Sequence, residues 1–292
     1  MATRPVTLSG ENGMILHIFS IIYIMRKTWY GGARIGLSSI ALLCAAISVL
    51  TPPSFAQDSQ DLPGILGTDN RKPIDSSAWP WSSIGRINRT AGGFCTGTLI
   101  ATKFVLTAAH CMYDSRNGRP LAAQEIHFVA GYKRDDYVAH SIARNIHVAD
   151  DFEYGTANGE ALSNDWALVE LVNEIPLKPL SVHEFAREGE KLKLPEGASI
   201  LRAGYSQDRA HLLAAHSGCS VEGTAESGRI LLHDCDATRG DSGSALLLKT
   251  QDGDYRILGV SVAVRTYGAQ DYGVAVPSVN FREQLSTRNL IP

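Results

Sequence analysis

Cys235-Asp236-Ala237-Thr238-Arg239-Gly240-Asp241-Ser242-Gly243-Ser244 is the stretch from which the fold is read. Glycines on both sides of Ser242 permit a tight turn that exposes its hydroxyl. The same turn can point the N–H groups of Gly240 and Ser242 into one hollow, where two converging donors stabilise a developing oxyanion. A serine presented in this way is a candidate nucleophile, and such a nucleophile needs an adjacent base.

Two upstream segments supply partners. In Phe104-Val105-Leu106-Thr107-Ala108-Ala109-His110-Cys111 an apolar strand ends in small residues and delivers a histidine beside a cysteine. A general base must be held rigidly near the surface. A disulfide at Cys111 would lock it there, with Cys95, on the preceding strand of a hairpin, as the expected partner. In Asn164-Asp165-Trp166-Ala167-Leu168-Val169-Glu170-Leu171 an acid opens an apolar run. Buried at a strand start, Asp165 can accept a hydrogen bond from an imidazole, fix its tautomer and stabilise the imidazolium. Each segment alone has an ordinary reading: a packing histidine, a capping aspartate, a surface turn. All three occur together in the order His, Asp, Ser, which belongs to one of several unrelated triad architectures.

On these motifs the chain resembles the trypsin-like (chymotrypsin-fold) serine proteases, and most closely their bacterial branch, which includes the glutamyl endopeptidases. Further matches are Gly92-Gly93-Phe94-Cys95-Thr96-Gly97-Thr98-Leu99-Ile100, Ala203-Gly204-Tyr205, and Gly273-Val274-Ala275-Val276-Pro277, which looks like the family's final strand. The resemblance covers roughly residues 65–292. It implies an all-β fold of two six-stranded antiparallel β-barrels, about 65–176 and about 190–292, with the active site in the cleft between them. It implies His110, Asp165 and Ser242 as catalytic residues, the N–H groups of Gly240 and Ser242 as the oxyanion hole, protein or peptide substrates, and no cofactor. The alternative is a secreted binding module that keeps the fold without the activity. Such relatives usually lose a triad residue or a turn glycine, and all are present here. An esterase would want a Gly-x-Ser-x-Gly elbow and the order Ser, Asp, His, which this chain lacks.

The resemblance to trypsins also places Asp236, six residues before Ser242, at the base of the specificity pocket, with Ala237, Ser261, Val264 and Gly273 around it. A carboxylate there would pair with a cationic side chain, so Arg or Lys is the preference implied. Val264 could instead narrow the pocket toward small apolar residues. Glutamate specificity is the third alternative; it lacks the histidine near Ser261 and the threonine at position 237 that glutamyl enzymes usually present. In the family a freed N-terminal amine often pairs with the acid before the catalytic serine. Here that would be Ile65, released after Gly64, and Asp241; the alternative is that signal cleavage is the only processing and Asp241 bonds within its own loop.

There are five cysteines. Cys44 lies in the leader, which leaves an even four in an exported chain, as two disulfides require. Cys95–Cys111 and Cys219–Cys235 are expected, each closing a short loop. No pair has zinc-site spacing, and no metal is expected. The second half carries fewer cysteines than animal trypsins use.

Residues 1–56 read as a signal region. Arg26, Lys27 and Arg34 form a positive flank, Ile35 to Leu50 is apolar or small, and Ser54-Phe55-Ala56 offers a cleavage site after Ala56. The signal reads most naturally with translation starting at Met25. The apolar run is short for a membrane span, so no stable membrane association is expected after cleavage. Residues 57–64 read as a short pro-segment or linker. Beyond it, short β-branched and apolar runs (Thr98 to Ile100, Phe104 to Thr107, Ile126 to Ala130, Trp166 to Val172, Ile200 to Ala203, Ile230 to Leu232, Ala245 to Leu248, Ile257 to Val264) are punctuated by turn residues, as in a barrel or sandwich. Short helices are expected after His110 and near Phe281 to Thr287, and Leu177 to Glu190 reads as a connector. The net charge of -3 over 292 residues, with no dense Lys/Arg run, leaves no footprint for nucleic acid. The expected protein is a secreted or periplasmic monomer. The remaining histidines, and the acidic pairs Asp135-Asp136 and Asp150-Asp151, read as ordinary surface, packing and turn residues rather than ligands.

Overall fold

Among the described residues the first strand is Lys72–Pro73 (β1). The barrel strands follow it: Ile84–Arg89 (β2), Phe94–Ala101 (β3), Phe104–Thr107 (β4), Ile126–Ala130 (β5), Ala139–Val148 (β6) and Ala167–Leu171 (β7). The computed structural model describes residues 62–292 except 157, 189–190, 194–198 and 291–292. The signal region and residues 57–61 lie outside the described residues.

β2 to β7 close into an antiparallel barrel in the order β2-β3-β4-β7-β6-β5. Closure removes the exposed edges that an open sheet would carry. Ile84, Ile87, Leu99, Leu106, Phe128 and Leu168 fill the interior and are almost wholly buried. β6 shows the alternation of a strand with one wet face: Ser141 and Ala143 point inward, Ile142 and Arg144 outward. β3 is buried over nearly its whole length. One face fills the barrel, and the strand also bonds to the second half of the chain.

That half contains Ser181–Val182 (β8), Ala186–Glu188 (β9), Lys191–Lys193 (β10), Ser199–Gly204 (β11), Ala214–Cys219 (β12), Val221–Ala225 (β13), Ile230–His233 (β14), Ala245–Lys249 (β15), Tyr255–Tyr267 (β16) and Gln270–Pro277 (β17). The second six-stranded barrel expected from the family resemblance is not closed. The strands run β1-β12-β11-β15-β16-β17-β14-β13, β8 adds to β16, and β9 pairs with β10 as a separate hairpin. The reason lies in the edges. β12 gives its free edge to the N-terminal strand β1, with Lys72 opposite Ala215 and Pro73 opposite Ala214. β13 bonds only to β14, so no ladder joins β12 to β13. The N-terminal segment, first in sequence, thereby belongs to the second sheet.

Helix is scarce. A single 3₁₀ turn, Ala109–Met112, carries His110. Gly159–Ser163 (α1) ends immediately before Asn164 and Asp165. Arg282–Thr287 (α2) is the helix expected near the C-terminus; the buried Phe281 that precedes it meets Trp166 of the first half at 5.6 Å. Among the described residues no helix is long and apolar enough to cross a membrane. The disulfides are Cys95–Cys111 and Cys219–Cys235. Each closes a loop of 16 residues, a constraint worth about 3 kcal/mol in the chain-entropy account.

Candidate active site

His110 is held at two points by one carboxylate. Its backbone N–H donates to Asp165 Oδ1 at 2.8 Å, and its Nδ1 lies 2.7 Å from Asp165 Oδ2. An ionised carboxylate only accepts, so Nδ1 is the protonated nitrogen in that state and Nε2 keeps a lone pair for a base's task. Asp165 is nearly buried while the imidazole remains 30% exposed. The local sequence explains the arrangement. α1 delivers the acid at its C-terminal end, and the Cys95–Cys111 bond pins the residue after the histidine to β3.

Ser242 sits in a turn clamped from both halves. Its carbonyl accepts the Thr96 N–H of β3 at 2.9 Å and lies 3.8 Å from Cys111 Sγ. Thr96 Oγ1 donates to the Gly240 carbonyl at 3.0 Å and accepts the Tyr205 N–H at 2.9 Å. From the other side, Gly243 N–H donates to the Ser261 carbonyl and Ser261 N–H to the Ser244 carbonyl. Gly240 and Gly243 both adopt positive φ. A Cβ at Gly240 would come within 2.6 Å of the Tyr205 carbonyl oxygen, and one at Gly243 within 2.3 Å of the Thr96 carbonyl oxygen. Only glycine fits either place. Among the described residues, neither the Gly240 nor the Ser242 N–H has an acceptor. Two unsatisfied donors in one turn are what an oxyanion needs.

The Asp241 carboxylate is taken up by three donors. Arg202 Nη1 donates to its Oδ1 at 2.6 Å, while Ser206 Oγ and Thr238 N–H donate to Oδ2 at 2.7 and 2.8 Å. Arg202 also donates through Nε to the Asp236 carbonyl at 2.7 Å, so one guanidinium ties both ends of the 236–241 segment. Both side chains are essentially inaccessible. Of the two arrangements expected for Asp241, pairing with a freed Ile65 amine or bonding within its own loop, the unprocessed chain shows a loop bond from Thr238 together with an internal cation, Arg202. Ile65 N–H donates instead to the Leu62 carbonyl. The signal for this was in the sequence: Arg202 is the one charge in the run Ile200-Leu201-Arg202-Ala203-Gly204.

A cavity of about 600 Å³ opens beside Ser242. Of the residues expected in a specificity pocket, Ala237, Ser261 and Val264 line it, joined by Pro63, Gly64, Thr238, Arg239, Arg265 and Asp271. Asp236 and Gly273 do not line it, which corrects the expectation for both. The Asp236 carboxylate is wholly buried and accepts the Leu66 and Asn70 N–H groups at 2.9 and 2.8 Å. The Asp236 N–H donates to His216 Nδ1. Burial pushes its pKa up, but the neighbouring His216 and the N–H groups of Asn70 and Leu66 outweigh that and hold it below the ordinary carboxylate range. It is therefore an anchor for the N-terminal segment, and the preference for Arg or Lys loses the residue on which it rested. Gly273 makes room for the His233 ring, whose Cε1 would lie 2.1 Å from a Cβ there.

His233 is fully buried. Its Nδ1 accepts the Cys235 N–H, and its Nε2 has no partner. Burial, aided by the Arg202 charge and the neighbouring His216, pushes its pKa down to about 3. The unfolded chain protonates this residue below about 6.5, while the folded chain resists until about 3. Its contribution to stability is therefore complete above the unfolded value and lost as pH falls through that window. Urea midpoints should drop between neutral pH and pH ~4, with a slope of up to roughly 1.4 kcal/mol per pH unit from this group. His233→Gln should flatten that dependence; an unchanged slope would refute the assignment.

Among the described residues, the groupings close enough to hold an ion are Cys95-His110-Cys111 and Cys219-Asp234-Cys235. Their sulfurs are joined in disulfides and offer no thiolate.

The Trypsin family model matches residues 67–285. Serine protease 23 of Bos taurus is 30% identical over 208 residues, covering 62% of this chain and 53% of that protein. Glutamyl endopeptidase of Bacillus licheniformis is 35% identical over 66 residues, 22% of this chain and 21% of that protein. The chain thus spans about half the length of the first curated relatives it matches. Among solved structures, a Glu endopeptidase in complex with MPD superposes with a TM-score of 0.60 at 25% identity, covering 77% of this chain and 98% of that one. The Vibrio cholerae VesB protease, at TM-score 0.57 and 21% identity over 75% of this chain and 67% of that one, shares the fold. With the family model spanning nearly all of the barrel and the open sheet, the chain belongs to the trypsin family of chymotrypsin-fold serine proteases.

Proposed function

We propose that the chain is a secreted serine endopeptidase that cleaves peptide bonds through an acyl-enzyme. The observation that carries this reading is the double hold of Asp165 on His110 beside a serine turn with two unsatisfied N–H groups. Ser242 Oγ attacks the peptide carbonyl as His110 Nε2 takes its proton. The Gly240 and Ser242 N–H groups receive the oxyanion of the tetrahedral intermediate. The protonated imidazole, stabilised by Asp165, gives its proton to the leaving amine. Water then attacks the acyl-Ser242 ester, again with His110 as base. Export is supported by two disulfides, which persist in oxidising compartments, and by the leader composition. The reading takes protein or peptide substrates and a monomer.

A fluorophosphonate probe tests it directly. The secreted protein should be labelled stoichiometrically, with the adduct mapped to Ser242. No labelling of folded protein would favour the inactive binding module instead.

A further inference from the structure

Asp165 lies in the first half of the chain, but the residues around it are held from the second. α1 ends at Ser163, and the last carbonyls of a helix have no partner within it. The Asn164 and Asp165 N–H groups take those of Ala161 and Leu162. The next carbonyl belongs to Ser163, a residue with no exposed surface, and Asn280 Nδ2 donates to it at 2.8 Å. The same Nδ2 donates to the Arg229 carbonyl at 2.9 Å, and Arg229 Nη2 donates to Asn164 Oδ1 at 3.1 Å. Phe281, the residue after Asn280, meets Trp166. Positions 163, 164 and 166 thus each have a partner from the second half.

Those partners are carried by adjoining strands. Arg229 immediately precedes β14, Asn280 closes the 3₁₀ turn Ser278–Asn280 that follows β17, and β14 pairs with β17. Glu226, just before Arg229, reaches the start of α1: a Cβ on Gly159 would collide with its carboxylate. Glu226 and Ser227 hold φ +50° and +54°. Non-glycine residues keep that left-handed conformation only where the surrounding structure imposes it.

We propose that Asn280 and Arg229 are positioning residues for the catalytic acid: they fix the backbone at Ser163 and Asn164 from the second sheet, and through it the Asp165 carboxylate that holds His110. The inference rests on the endopeptidase reading above. Asp165 grips His110 with both oxygens, at 2.8 and 2.7 Å, so the tilt of the carboxylate matters as well as its distance. His110 and Asp165 come from the first half and Ser242 from the second. A strut that ties the acid to the second sheet sets the base against the nucleophile. A displacement of about 1 Å in such a frame costs on the order of 10²-fold in rate.

The test uses the full chain. Asn280→Asp keeps the shape, removes the donor and sets a carboxylate against the Ser163 carbonyl. Ser278→Ala is the matched control: Ser278 lies in the same turn, but its Oγ donates to the His183 carbonyl at 2.6 Å. On a peptide amide that wild type cleaves, with active sites counted by fluorophosphonate, Asn280→Asp should lower kcat by about 10- to 100-fold and leave KM within about twofold. Ser278→Ala should keep the wild-type kcat. Arg229→Met should lower kcat in the same way, and Arg229→Lys, which retains a donor, should recover part of it; this pair decides the matter if Asn280→Asp does not fold. The Nδ1 proton of His110, followed by NMR in isotope-labelled protein, gives a readout independent of turnover. Its low-field resonance, set by the bond to Asp165, should move upfield in Asn280→Asp and Arg229→Met and stay in place in Ser278→Ala. Wild-type kcat with an unmoved resonance, a loss confined to KM, or equal losses in Ser278→Ala would overturn the positioning role. Absence of labelling in every protein, wild type included, would instead sink the endopeptidase reading, with the resonance still deciding whether Asn280 and Arg229 hold Asp165.

Discussion

Ser242→Ala should lower kcat/KM on any cleaved peptide by a factor on the order of 10³–10⁶ while leaving the fold intact. The size follows from the role proposed for the hydroxyl: without it no acyl-enzyme forms, and what remains comes from binding and from the N–H groups of Gly240 and Ser242. The fold should survive because the bonds that position Ser242 are made by its backbone. Its carbonyl accepts from Thr96, and the neighbouring Gly243 and Ser244 are tied to Ser261. Alanine preserves all of these. Steady-state kinetics with an Ala peptide, alongside a urea melt, separates the effects. Turnover within tenfold of wild type would end the assignment of Ser242 as nucleophile. A matching loss of stability would instead point to a structural serine.

The three motif segments were legible because their chemistry is local. A histidine beside a cysteine, an acid at the head of an apolar strand and a serine between glycines are each readable within ten residues. Strand bounds were legible for the same reason wherever both faces are apolar: Phe104–Thr107 and Ile126–Ala130 coincide with β4 and β5. β6 is different. Its outward face carries His140, Arg144 and Asn145, so a search for apolar runs passes over it. The open second sheet was illegible because closure depends on which strand takes the edge of β12, a choice made by β1 about 140 residues away. Asp236 failed for a related reason. Its distance from Ser242 along the chain fixes its backbone position, but the direction of its carboxylate is set by Leu66 and Asn70, which lie 170 and 166 residues away in sequence.

Arg202→Met should destabilise the protein by about 3–5 kcal/mol, the usual cost of leaving one partner of a buried ion pair uncompensated. Methionine keeps much of the volume, so the loss reports charge and hydrogen bonding rather than a cavity. The variant strands the Asp241 carboxylate with only Ser206 and Thr238 as donors and leaves the Asp236 carbonyl without the Arg202 Nε bond. Both lie in the segment that shapes the turn at Gly240 and Ser242. Labelling of Ser242 by fluorophosphonate should therefore slow as well, even at temperatures where the variant is folded. Adding Asp241→Asn should recover part of the stability, since the unpaired charge is then gone. If the same pair stands in place of a freed amine, a chain that keeps Leu62–Gly64 should be fully active. Arg202→Met with wild-type stability and labelling would remove the ion pair from this role. A requirement for a new terminus at Ile65 would show that Asp241 changes partners during maturation.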